Sequence, residues 1–303
     1  MDGIVNILKP PGMTSHDVVY YVRKHTGIKK VGHTGTLDPQ AVGVLPICIG
    51  KATKISEEIT GKDKVYRAVL KLGVTTDTQD AEGSVLKEKE VNISKEILCE
   101  TLARFKGEIS QVPPMYSAIK IKGQKLYELA RKGIEVDRPA RKVMIHKIDV
   151  MDIDLGREEV LIEVICSKGT YIRTLCHDIG EKLGCGGHMQ FLMRMASGPF
   201  HIEQAVTLED FALLCKAHGI QSQLLPIDDF FAHYPRVTVK QAGEQKVVNG
   251  NVVSEKFLHV NEKAMVKGAI YRVYNQQGKF LCLSRMIHDH NNTRQLKLEK
   301  SFY

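Results

Sequence analysis

The fifteen residues from Gly32 to Pro46 hold one carboxylate, Asp38, in a backbone that its neighbours make stiff. Gly32 and Gly35 permit close backbone approach ahead of it. Behind it, Pro39 fixes its own φ and pushes Asp38 towards an extended conformation. Alone, an Asp-Pro pair is a common turn starter. Within Gly32-His33-Thr34-Gly35-Thr36-Leu37-Asp38-Pro39, the punctuation on both sides aims the side chain. An aimed carboxylate can act as nucleophile or as base, and the residues alone do not choose between them. A second punctuated stretch, Lys9-Pro10-Pro11-Gly12-Met13-Thr14-Ser15, lies upstream.

The elements that must position Asp38 follow from periodicity. Thr14 and Ser15 are good N-cap residues, and the run 16–25 places Val18, Val19 and Val22 on one face before Gly27, which predicts a helix. Residues 64–72 alternate Tyr66, Ala68, Leu70 and Leu72 against Val65, Arg67, Val69 and Lys71, a strand with Tyr66 on its more apolar face. Residues 74–83, rich in Thr, Asp and Gly, predict a loop. Further strands are expected at 117–121, 143–151 and 159–167, with a helix near 124–132 stopped by Gly133. A second helix is predicted over 170–184, with Ile172, Leu175, Ile179 and Leu183 on its apolar stripe and Arg173 in its first turn, off that stripe. Strands and helices mix without strict βαβ alternation, so the expected class is α+β on a mostly antiparallel, mixed sheet flanked by helices.

Residues 207–232 are helical in pattern, and Tyr234-Pro235 marks a boundary. Beyond it, Val237–Val239, Ala269–Tyr274 and Lys279–Leu283 alternate with Asn249-Gly250-Asn251 and Gln276-Gln277-Gly278, as in a small barrel. Charge divides at the same place. Residues 1–234 carry 31 Lys and Arg against 30 Asp and Glu, whereas 235–303 carry 12 against 5, so nearly all of the net +8 sits in the last quarter. A basic module on a near-neutral body suits phosphate binding. The expected domains are therefore 1–232 and 233–303.

With 303 residues, 43% of them hydrophobic, the chain can bury substantial cores. It has no apolar run near the roughly 18 residues of a membrane span and no basic-then-apolar leader, which points to the cytoplasm. Its seven cysteines contain no C-x-x-C pair, which favours reduced thiols over disulfides or zinc. His288-Asp289-His290 lacks a third ligand nearby and reads as a solvated tail. No G-x-G-x-x-G, P-loop or H-E-x-x-H is present, so no cofactor or metal is expected.

Together, Lys9–Ser15 and Gly32–Pro46 closely resemble the two signature motifs of the TruB family of tRNA pseudouridine synthases. Gln40 and Val42 depart from the Leu and Thr common there. The resemblance is strong over residues 1 to about 200 and weaker beyond. It implies that Asp38 is the catalytic aspartate, that Arg173, in Cys166-Ser167-Lys168-Gly169-Thr170-Tyr171-Ile172-Arg173, pairs with it, and that Tyr66 is the active-site tyrosine. Pairing would lower the Asp38 pKa by roughly 1–3 units. Tyr66 would stack on an extracted base, and its hydroxyl would accept a proton if its pKa, near 10 when unperturbed, were pulled down.

The resemblance also implies substrate-side roles. His33 would contact RNA where the base has flipped out, Leu192 would wall the uracil pocket, and Tyr171 would lie beside them. Lys9 is assigned to the same set, with Pro10, at the pocket floor. Residues 233–303 would form a PUA-type RNA-binding domain. The implied activity is isomerisation of uridine-55 in the tRNA T loop by base flipping, glycosidic cleavage and reattachment through C5, with no redox step and no cofactor. The implied partner is the tRNA T stem-loop, with no membrane, obligatory protein partner or guide RNA, and a monomeric enzyme. The related guide-RNA-dependent synthases of box H/ACA particles are the alternative. They usually carry an N-terminal extension, whereas this chain starts eight residues before Lys9. A tRNA-folding chaperone is the other alternative.

Overall fold

A computed structural model of the chain describes residues 1–121, 123–259 and 265–303. Two compact units emerge. One comprises Val5–Ile47 and Ile55–Ser222, and the other Met1–Ile4, Cys48–Lys54 and Gln223–Tyr303.

Among the described residues the larger sheet has nine strands. Its spine runs Gly3–Lys9, Val42–Ile49, Gly187–Ser197, Lys64–Leu72, Glu159–Cys166, Arg141–Asp154, Gly107–Gln111. Strand Lys64–Leu72 pairs antiparallel on both sides, while Val42–Ile49 runs parallel to Gly187–Ser197, so the sheet is mixed and mostly antiparallel, as expected. Along Lys64–Leu72 every second residue is buried, including Tyr66, Ala68, Leu70 and Leu72, as the alternation requires.

The first helix spans Ser15–Thr26. The Thr14 hydroxyl accepts the Asp17 N–H, the Asp17 carboxylate accepts the Thr14 N–H, and Gly27 ends the helix at φ +70°. Val18, Val19 and Val22 form its buried face. A second helix, Ile172–Leu183, closes on Gly184 at φ +83°.

Local differences from the sequence reading have physical causes. Residues 74–83 are not all loop, because Val74–Thr76 pairs with Val85–Glu88 in a hairpin. The strand expected at 117–121 shrinks to Lys120–Ile121, paired with Gln124–Lys125, and the helix after it to Leu126–Ala130. His288-Asp289-His290 is no tail. The Asp289 carboxylate accepts N–H groups from Asn291 and Thr293 and the Gln295 amide, and so shapes the turn between strands Phe280–His288 and Arg294–Ser301. Arg173, placed off the apolar stripe of its helix, is nonetheless 5% exposed, because loops carrying carboxylates cover it.

In the second unit, a barrel-like sheet of six strands runs Val253–Ser254, Arg294–Ser301, Phe280–His288, Ile270–Tyr274, Arg236–Val239, Leu258–His259 among the described residues. It closes over an apolar core that includes Val239, Val273, Leu281 and Met286.

Candidate active site

The upstream motif holds the Asp38 turn from beneath. Lys9 is fully buried, and its Nζ donates to the carbonyls of Pro10, Pro39 and Ala41 at 2.8, 2.8 and 2.7 Å. Ser15, at the start of the first helix, accepts the Leu37 N–H at 2.8 Å, and Ala41 N–H closes the turn on the Asp38 carbonyl at 3.1 Å. Gly35 sits at φ +131°, a conformation that suits glycine. Burial pulls the Lys9 amine down to about 8. Placed in the substrate-side set as a brace of the pocket floor, Lys9 spends its donors on the turn and is absent from the cleft wall.

Arg173 arrives from the first turn of its helix. Gln111 fixes that helix end, accepting the Tyr171 N–H at 3.1 Å and donating to the Tyr171 carbonyl at 3.2 Å. The guanidinium grips Asp38 with two prongs, Nε to Oδ2 at 3.0 Å and Nη2 to Oδ1 at 3.3 Å. Its remaining donors reach Asp80 Oδ2 at 3.3 Å and the carbonyls of Thr78 and Tyr116 at 3.3 and 2.8 Å. One buried cation thus serves two carboxylates.

The consequence for Asp38 differs from the expected lowering. The side chain keeps 37% of its exposure in the open cleft, yet desolvation by the surrounding protein has the largest influence and pushes its pKa above the ordinary aspartate value; Arg173 opposes this, and the Asp80 charge adds to it. Only the ionised carboxylate is available for catalysis, so activity is lost as pH falls through this raised midpoint. The single-turnover rate is therefore expected to show an acid limb above the ordinary value of ~3.9. Arg173→Lys keeps a charge but loses the fork, and is expected to lower the rate by about 10²-fold and to move the limb upward. Rate measurements across the acid range check both, and a limb at or below the ordinary value contradicts the electrostatics described here.

Tyr66 lies in register with Arg194 on one neighbouring strand and Val164 on the other. Burial raises its phenol pKa, and the nearby Arg194 guanidinium works against that. The expected downward pull is thus outweighed by desolvation, and the resting group is a neutral phenol.

Asp38, Tyr66, Arg173, His33, Leu192 and Tyr171 all line one cleft of about 1460 Å³. His33 Nδ1 accepts the Gly35 N–H at 3.4 Å, and burial lowers its pKa, so the ring is neutral around neutral pH. Leu192 is 7% exposed, and burial raises the Tyr171 phenol. The cationic side chains Lys64, Lys125, Arg131 and Lys168 share the same wall. Among the described residues no group of three His, Cys, Asp or Glu stands close enough to hold a metal ion.

Three positioning side chains escaped the sequence reading: Asp80, Gln111 and Arg194. Asp80 lay in a stretch whose Thr, Asp and Gly content signals only a loop. Arg194 stood two residues from Leu192 in an apolar run, with nothing local to mark it.

Residues 23–172 match the TruB family pseudouridylate synthase N-terminal domain, and residues 173–232 match the tRNA pseudouridylate synthase B C-terminal domain. The tRNA pseudouridine synthase B of Alkaliphilus oremlandii is 54% identical over 258 residues, 85% of each chain. That of Clostridium kluyveri is 46% identical over all 303 residues and 100% of both chains. Among solved structures, an H/ACA ribonucleoprotein bound to a substrate RNA containing 2'-deoxyuridine contains a chain 27% identical, with a TM-score of 0.69 covering 99% of this chain and 85% of that one. Identity at this level, end to end, settles the kinship: this chain belongs to the TruB family of pseudouridylate synthases.

Proposed function

We propose that this enzyme isomerises uridine-55 in the T loop of tRNA, acting on the folded T arm without a guide RNA or protein partner, as a cytoplasmic monomer. The observation that carries the reading is the two-pronged Arg173–Asp38 pair beside buried Tyr66, in a cleft whose walls add four cationic side chains. A uridine stacked in RNA cannot reach such a carboxylate, so it must leave the stack, at a cost of a few kcal/mol. Lys125, Arg131 and Lys168 of the wall meet the phosphates on either side, and His33 and Leu192 bound the space for the flipped nucleotide. Asp38 supplies the anion at the sugar and N1 side of the base, Arg173 holds it in place, and Tyr66 provides the aromatic face and the group that handles the C5 proton. Residues 233–303, with most of the net positive charge, act as a PUA-like RNA-binding module on the rest of the tRNA.

Sequence-specific RNA recognition generally targets loops with splayed bases. A minimal T stem-loop transcript is therefore expected to gain pseudouridine at one uridine with the purified protein alone. A linear strand of the same sequence should stay unmodified. Activity that appears only when a guide RNA is added would transfer the chain to the H/ACA mode of action, and equal activity on the linear strand would contradict recognition of the folded arm.

A further inference from the structure

Arg194 heads the set of largest fully buried side chains, at 1% exposure, in strand Gly187–Ser197. Its Nε donates to the Val44 carbonyl at 2.7 Å, Nη2 to the Gly35 carbonyl at 3.1 Å and Nη1 to the Thr36 carbonyl at 3.5 Å. In the antiparallel ladder it stands directly opposite Tyr66, and its charge acts on that phenol. Among the described residues it pairs with no carboxylate, in contrast to Arg173, whose charge is met by Asp38 and Asp80. A cation buried against three carbonyls and a phenol is expensive to desolvate and only partly compensated.

The strand that carries it packs closely on the Asp38 segment. Gly43, at φ +113°, lies opposite Arg194 in the parallel ladder, and a Cβ there would come within 2.2 Å of the Arg194 carbonyl oxygen. Gly35, at φ +131°, presents its carbonyl to the guanidinium. Gly43 thus lets the two parallel strands approach backbone to backbone at Arg194, and Gly35 supplies one of the carbonyls that its guanidinium meets. Packing alone would be satisfied by a methionine of similar length, and the carbonyls could be met by neutral donors. The feature that calls for a positive charge is the phenol.

We propose that Arg194 is a positioning residue for proton transfer: its guanidinium stabilises the phenolate form of Tyr66 in the step that removes the C5 proton, while its other donors hold the Gly35–Thr36 segment leading to Asp38. The inference rests on the reading of Tyr66 given above. The protons balance as follows. The phenol gives its proton to water; once C5 is bonded to the ribose, the C5 proton passes to the phenolate oxygen and the C–H electron pair restores the C5–C6 double bond. N1, freed from the sugar, takes a proton from water, so nothing is oxidised or reduced. The titratable and charged groups around Tyr66 are Arg194, Cys166 from strand Glu159–Cys166, and Asp38 from its turn. Burial pushes the Cys166 thiol up to about 12, so it stays neutral, and Asp38 disfavours a second anion. On the strand of Tyr66 itself, Lys64 faces Arg194 and Cys166, with its amine brought down to about 8 by burial. Arg194 is the cation that stands opposite Tyr66 on the neighbouring strand and acts most strongly on its phenol.

The test uses full-length Arg194→Met and Arg194→Lys, single-turnover rates on tRNA from neutral to alkaline pH, and NMR of ring-labelled tyrosine, with the Tyr66 signal assigned by Tyr66→Phe. Arg194→Met is expected to lower the neutral-pH rate by about 10²-fold. That deficit should shrink as pH rises, and Tyr66 should titrate at higher pH than in the parent. Arg194→Lys should lie between the two in both readouts. If the Met variant does not fold, the Lys variant carries the test, because an ammonium cannot reach all four partners and Tyr66 must again titrate higher. An unchanged Tyr66 titration, with a rate loss that is constant across pH, would overturn the proposal and leave Arg194 as a brace for the turn. Failure of the Tyr66 reading would show separately, as Tyr66→Phe turning over at the parent rate.

Discussion

Asp38→Asn is expected to bind tRNA within a few fold of the parent and to give no measurable multiple turnover, a fall of roughly 10⁴-fold or more. Asparagine preserves the size of the side chain and one oxygen for the Arg173 Nε contact that now measures 3.0 Å. It presents an amide to the second prong and removes the charge. Lys9 and Ser15 grip backbone atoms of the turn and keep their partners in the variant. The loss is thus chemical and not a collapse of the loop. Filter binding and single-turnover kinetics on the same preparation separate the two, and sustained turnover by the variant would remove Asp38 from the reaction.

The second large effect is expected at Tyr66. Tyr66→Phe keeps the ring, its place between the two neighbouring strands and its capacity to stack on a base, and it deletes the hydroxyl on which the Arg194 charge acts. Binding should survive, while turnover falls by about 10²–10⁴-fold, the usual worth of a positioned acid or base. A parent-like rate would reduce Tyr66 to an aromatic wall.

What could be read in advance was what local sequence controls. The Asp38 turn was legible because glycine frees and proline fixes φ at their own positions, and the first helix because its caps and its three valines lie within one short run. Strand Lys64–Leu72 was legible because its alternation is unbroken over nine residues. Strand Gly187–Ser197 was not. Its register slips between Met189 and Phe191 and again between Arg194 and Ala196, so its buried positions lose the period of two. Asp80 and Gln111 reach the site through partners 93 and 60 residues away, which no local pattern encodes. Arg173 was found through its motif, yet its burial was not, because a helical stripe argument sends charges to solvent unless opposing carboxylates are supplied by distant loops. The pKa of Asp38 went astray for a related reason. A pairwise view contains the arginine, but neither the loss of water at the cleft floor nor the second carboxylate beside it.

The central claim, that this cleft converts one T-loop uridine unaided, is tested most directly by base-resolution mapping of pseudouridine in an unmodified tRNA transcript incubated with the purified protein and no added guide, protein, metal or nucleotide. The predicted result is a single new pseudouridine, at position 55, absent when Asp38→Asn replaces the parent. Modification at other positions only, or none until a guide RNA is supplied, would contradict it.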